Sequence, residues 1–155
     1  SALSGLDSLS SVGGDFKIYE NSGLVNFGAD GPINLEIIEG ELNIYKNSSL
    51  INFDSFFKLK AIKTGIRLFD NVTLESLSGL GFVETTNSLA VTYNPSLITC
   101  DGLEDLGSRH TGNWYFSENG IDCASFWLFY LLRFWHVNFP VDVYFVCHFF
   151  TLNVN

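Results

Sequence analysis

Apolar residues recur along this chain in the order apolar, x, apolar, x, x, Asn, x, x, apolar. Phe16, Ile18, Asn21 and Leu24 set the pattern, and Leu42, Ile44, Asn47 and Leu50 repeat it. Ile66, Leu68, Asn71 and Leu74 follow, then Leu89, Val91, Asn94 and Leu97. Alternation over the first positions predicts a short strand with one face buried. The chain turns at the asparagine, whose side chain both donates and accepts. It can satisfy backbone groups left unpaired by a corner, and stacked copies form a ladder. The stretch 15–27, DFKIYENSGLVNF, returns nearly unchanged at 41–53 as ELNIYKNSSLINF. Weaker copies, GIRLFDNVTLESL, SLAVTYNPSLITC and NWYFSENGIDC, end at Leu77, Cys100 and Cys123. The anchors Asn21, Asn47, Asn71, Asn94 and Asn119 are spaced by 26, 24, 23 and 25 residues. Such a period predicts a solenoid whose coils bury their apolar faces only against one another.

Between the strands runs an apolar spacing of three: Leu6, Leu9, Val12; Phe56, Leu59, Ile62; Leu80, Val83; Leu103, Leu106. It predicts short 3₁₀ turns or irregular return stretches that close each coil. SGL at 4–6 and 78–80 and DGL at 101–103 open these stretches with turn chemistry. Two residues before each strand stands Gly14, Gly40, Thr64, Asn87 or Gly112. Glycine there permits a positive φ or a close approach between coils.

GGDFKIYENSGLVNF, EGELNIYKNSSLINF and the GLxxL segments between units resemble leucine-rich-repeat-like coils of the receptor L-domain type, over residues 1 to about 123. The resemblance implies a mainly β, right-handed single-stranded β-helix of about five coils with one continuous parallel sheet. It also implies a place among extracellular or cell-surface proteins, without specifying a ligand. The cysteine-rich module that follows such domains in growth-factor receptors is not visible, nor are kinase motifs, so a receptor kinase is not implied.

Composition divides the chain into solenoid repeats over 1–123 and a different tail over 124–155. All 14 glycines precede residue 121, whereas residues 126–150 hold eleven aromatics. Arg133, His136, Pro140, Asp142 and His148 interrupt the tail, and 124–132 is too short to span a bilayer. The tail reads as a cap over the last coil, with Val141, Val143 and Phe145 suiting a strand, or as non-native sequence. Membrane association, through this tail or through sequence outside the chain, is a further reading. The chain has no Met, and residues 1–6 read as the second half of a coil whose asparagine lies upstream, as in a piece of a longer array.

Length and charge narrow the function. With 155 residues, 46% of them hydrophobic, the chain is one domain in size with enough apolar content for a continuous core. A net charge of -9, with eight scattered basic residues, argues against a nucleic-acid partner. His110, His136 and His148 have no metal-ligand spacing with cysteine or each other, and no cofactor motif stands out; GLGF at 79–82 lacks the context of a phosphate loop.

The outward strand positions form columns. One reads Tyr19, Tyr45, Phe69, Thr92, Ser117 and the one before it Lys17, Asn43, Arg67, Ala90, Tyr115. Tyr19, Tyr45 and Phe69, flanked by Lys17 and Arg67, are the candidate ligand-binding residues, because rigid amphipathic rings give contact area at low entropic cost. Cross-strand stacking that merely stabilises the sheet is the competing account. The corner column Glu20, Lys46, Asp70, Tyr93, Glu118 holds carboxylates, as a polysaccharide-cleaving β-helix would need, but Lys46 between Glu20 and Asp70 makes a ladder of alternating charge the simpler reading. No catalytic residues are assigned. Cys100 lies in an inward column with Phe27, Phe53 and Leu77, and Cys123 falls one coil on. A Cys100–Cys123 disulfide, with Cys147 outside it, is expected if the protein is secreted; two buried thiols are the alternative. The sequons at Asn47 and Asn71 compete with the ladder for the same side chains. The reading that results is a non-catalytic extracellular or cell-surface module binding a protein or carbohydrate ligand, with a structural wall or matrix protein and a carbohydrate-active β-helix as alternatives.

Overall fold

The computed structural model describes residues 2–29, 31–84, 86–100, 103, 113–120 and 143–145. Six strands form one sheet: β2 (Phe16–Tyr19), β4 (Glu41–Tyr45), β6 (Gly65–Phe69), β7 (Leu89–Thr92), β8 (Trp114–Ser117) and β9 (Val143–Phe145). All neighbours are parallel, and each pairs with the next in the chain. A second sheet stacks β1 (Ser11–Val12), β3 (Ile37–Ile38) and β5 (Ala61–Ile62). The molecule is a β-solenoid of about four turns, because the five asparagine corners expected from the sequence enclose four complete circuits. The smaller sheet was not foreseen, since two-residue strands are too short to show an alternation.

Register makes the repeat visible in space. Phe16 pairs with Leu42, Leu42 with Ile66, Ile66 with Leu89 and Leu89 with Trp114, so equivalent residues line up in columns. Inside, Leu42, Ile44, Leu68, Leu89 and Val91 are fully buried. A second inward column holds Phe27, Phe53, Leu77 and Cys100, all buried. Phe56 is the aromatic centre of the core: its ring meets Phe27 edge-on at 4.8 Å and lies 5.9 Å from both Phe16 and Phe53.

The spacing of three resolves as 3₁₀ turns at Asp54–Phe56 and Ser78–Leu80, which drop Phe56 and Leu80 into the core. Gly40 does not need a positive φ; it needs space, because a Cβ there would lie 2.6 Å from the backbone nitrogen of Asp15 in the coil above. Gly79 answers the same demand in the return stretch, where a Cβ would run into the Phe53 carbonyl. In the tail, Val143–Phe145 forms the sixth strand, pairing Trp114 with Val143 and Phe116 with Phe145. Among the described residues no helix is long and apolar enough to cross a membrane.

Candidate functional site on the outer face of the main sheet

The strands end in a shared corner. Glu20, Lys46, Asp70, Tyr93 and Glu118 all have left-handed backbone conformations, with φ between 54° and 57°. Five non-glycine residues in a region that normally costs them energy require a compensating structure. The next residue in each coil supplies it. The Asn47 amide nitrogen donates to the Tyr45 carbonyl of its own corner (3.1 Å) and to the Ile18 carbonyl of the coil above (3.0 Å). The Asn47 Oδ1 accepts from the backbone N–H (3.1 Å) and side-chain amide (3.2 Å) of Asn21. Asn71 and Asn94 repeat the arrangement, and Asn119 continues it beneath Asn94. Asn47, Asn71 and Asn94 are fully buried, so in the folded domain the two sequon nitrogens are held in the ladder rather than offered to a glycan.

This corner fixes the outward columns. Tyr19 stacks on Tyr45 with centroids 4.9 Å apart and planes 2° apart, and Tyr45 on Phe69 at 4.6 Å and 4°. The stripe read from the sequence therefore exists, with one consequence for recognition. Each ring covers its neighbour's face, so the stripe shows solvent its edges and the Tyr19 and Tyr45 hydroxyls. The outer face of Tyr19, which is 49% exposed, is open at the end of the stack.

The flanking cations are not free. Lys17 pairs with Asp15 at 2.8 Å and Arg67 with Glu41 at 3.2 Å. Asp15 also accepts from the Glu41 backbone N–H at 2.8 Å. The Lys17 hydrogen bond, then that N–H, hold the Asp15 carboxyl below the usual range, and Asp15 in turn raises the Lys17 ammonium. The two carboxylates were not foreseen as partners; Asp15 stands two residues before Lys17, just ahead of the same strand, whereas Glu41 reaches Arg67 from the neighbouring strand, where it is in register with Gly65. Between Lys17 and Arg67 stands Asn43, which its column placed outside but which is 91% buried by its neighbours (9% exposed). Its amide nitrogen donates to Glu41 at 3.3 Å, while its Oδ1 has no hydrogen-bond partner among the described residues.

At the corner column, Lys46 reaches Glu20 at 3.7 Å, in keeping with a charge ladder. Among the described residues no group of three or more His, Cys, Asp or Glu is placed to hold a metal ion. Cys100 is disulfide-bonded. The expected partner Cys123 and the third cysteine, Cys147, lie outside the described residues. No protein-family model, curated protein or solved structure matches the chain.

Proposed function

We propose that this protein is a non-catalytic recognition module of the receptor L-domain type, acting outside the cell or at its surface and binding its ligand on the outer face of the main sheet. The observation that carries this reading is the parallel, face-to-face Tyr19–Tyr45–Phe69 stack, held in fixed register by the core beneath it. A ligand meeting such a face loses little entropy in ordering it. Beside the stack, the unpaired Asn43 Oδ1 is an acceptor for a ligand N–H or O–H, since buried polar atoms are seldom left without a partner. The stacking favours a protein ligand over a glycan laid along the stripe. A sugar ring packs on aromatic faces, and here those faces cover one another. The disulfide at Cys100 supports an oxidising compartment.

The test is Tyr45→Ala at the centre of the stripe. Binding to a partner found by screening protein and glycan arrays should weaken by about 1–3 kcal/mol, the range for an aromatic anchor. Two stacked contacts are lost as well, so stability should fall by about 1–3 kcal/mol, more than an outward position alone implies. Tyr45→Phe separates the two effects: it keeps the stack and stability, and binding that uses the hydroxyl edge falls. If both variants bind as wild type per folded molecule, the stripe serves only the sheet and the binding-face reading fails.

A further inference from the structure

The residue after each ladder asparagine decides how durable its amide is. An asparagine side chain is lost when the next residue's backbone nitrogen attacks its Cγ. Pro95, after Asn94, has no N–H to give up and is barred from that reaction. Ser22, Ser48 and Val72, after Asn21, Asn47 and Asn71, hinder it with a Cβ. Gly120, after Asn119, does neither, and this is the one Asn-Gly pair in the chain. The fold demands that glycine: Gly120 is buried, and a Cβ on it would run into the Leu97 carbonyl of the coil before and lie 3.2 Å from that of Pro95.

The same fold holds the Asn119 amide still. Its Nδ2 donates to the Val91 carbonyl at 2.7 Å, and its Oδ1 accepts from the Asn94 backbone N–H at 3.2 Å and side-chain amide at 3.1 Å. Turning Cγ onto the Gly120 nitrogen breaks these bonds. Asn119 is only half-buried, where Asn47, Asn71 and Asn94 are fully buried. Asn21 is more exposed still, but Ser22 follows it.

We propose that Asn119 is a deamidation site gated by opening of its corner, and that the reaction locks the corner open. In the opened corner the Gly120 nitrogen bonds to Asn119 Cγ, the Cγ–Nδ2 bond breaks, and the Gly120 proton leaves with that nitrogen as ammonia. A succinimide ring remains. Water then adds to one of its two carbonyls and breaks that carbonyl's bond to the ring nitrogen. Addition at the side-chain carbonyl restores the main chain and leaves an aspartate; addition at the main-chain carbonyl leaves an isoaspartate, whose chain runs through Cγ. Water is the only co-reactant, and nothing is oxidised or reduced. Neither product rebuilds the rung. The aspartate carboxylate still accepts from Asn94, but it has no N–H for the Val91 carbonyl and sets two acceptors against each other. The isoaspartate adds a carbon to the main chain just past Ser117, whose register with Thr92 the corner must keep. Glu118 would then hold its left-handed φ of 54° without the side chain that compensates it.

The experiment incubates the full chain in mildly alkaline buffer, folded or unfolded in urea. Peptide mapping by mass spectrometry follows each asparagine, with enzymatic methylation to reveal isoaspartate. In urea, Asn119 should convert ahead of every other asparagine. Folding should slow it about tenfold or more, because the reaction then waits on local opening. The full chain carrying Asn119→Asp supplies one product directly. Its Tm should fall, and hydrogen exchange should quicken several-fold at the Tyr93 amide, which donates to the Ser117 carbonyl at 3.0 Å. Another asparagine leading in urea overturns the site, and equal Asn119 rates in buffer and urea overturn the gate. An Asn119→Asp chain with wild-type Tm and exchange overturns the lock. Failure of that variant to fold is the lock at its limit, and the wild-type comparison still decides the site and the gate.

Discussion

Burying a primary amide without partners costs more than a typical hydrogen bond returns, yet this chain buries Asn47, Asn71 and Asn94 completely. The account closes at Asn71. Its nitrogen donates to the Ile44 carbonyl (3.0 Å), the Phe69 carbonyl (3.3 Å) and the Asn94 Oδ1 (3.3 Å), while its oxygen receives the Asn47 N–H and side-chain amide. Asn71→Ala removes all of these and leaves the Asn47 N–H and Ile44 carbonyl short of partners, a loss of about 2–4 kcal/mol by urea unfolding. Asn71→Asp distinguishes geometry from donor chemistry. A carboxylate would face the Ile44 carbonyl and the Asn94 Oδ1, both acceptors, so burial and repulsion raise its folded pKa above the unfolded value of about 3.9. A raised carboxyl pKa means the native state holds the proton longer, so stability is retained at low pH and lost as pH rises past the unfolded value. Relative to wild type, the aspartate variant should be less destabilised near pH 4 than near pH 7; an equal deficit at both would show that the donors do not matter. The anchors of this ladder were legible because one residue type recurs at one interval. The left-handed residues before them were not, because Glu20, Lys46, Asp70, Tyr93 and Glu118 share no chemistry and none is glycine. The following asparagine sets their conformation, not their own side chains.

At the scale of elements, the same position can ask different things of its residue depending on what is stacked against it. Gly14 and Gly40 occupy equivalent places before β2 and β4. A Cβ on Gly40 would strike the Asp15 backbone and carboxylate, whereas one on Gly14 meets nothing within 4 Å. Gly40→Ala should therefore cost about 1–3 kcal/mol, the usual penalty for forced overpacking. Gly14→Ala should stabilise by up to about 1 kcal/mol, because it restricts only the unfolded chain. Parallel denaturant titrations check the pair, and equal effects would mean that the coils do not approach closely at Gly40. Sequence periodicity marks both glycines as corner positions; which of the two is crowded depends on the coil above. Asn43 shows the same gap between pattern and packing. Alternation places it outside, yet side chains of neighbouring strands bury it. The stripe was legible as a column and cross-strand stacking as its competing account, but not the face-to-face geometry that hides the ring faces, since ring orientation is set by contacts across strands rather than by spacing along them.

Across the whole molecule, each coil touches mainly the coils before and after it, so stability should be a sum over coils and their interfaces. Removing residues 41–64 is the sharpest test, because the cut matches the 24-residue interval between Asn47 and Asn71. It joins Gly40 to Gly65, so that Ile66, Leu68, Phe69 and Asn71 take the places of Leu42, Ile44, Tyr45 and Asn47. Tyr19 then stacks on Phe69 and Asn21 bonds to Asn71. Two costs are visible in advance: the aromatic centre at Phe56 is lost, and Glu20 meets Asp70 where it had met Lys46. Neither breaks a ladder, so the shortened chain should keep its β circular dichroism and unfold cooperatively, with a urea m-value smaller by roughly 15%, in proportion to the chain removed. Removing residues 41–52 takes out half a circuit instead. That deletion sets Phe53 where a strand should begin and brings no asparagine to the corner, so the sheet, the core and the asparagine ladder lose register together and the protein should not fold. If the half-coil deletion folds as well as the full one, the coils are not the units of stability, and the register that holds the outer face in line has some other source.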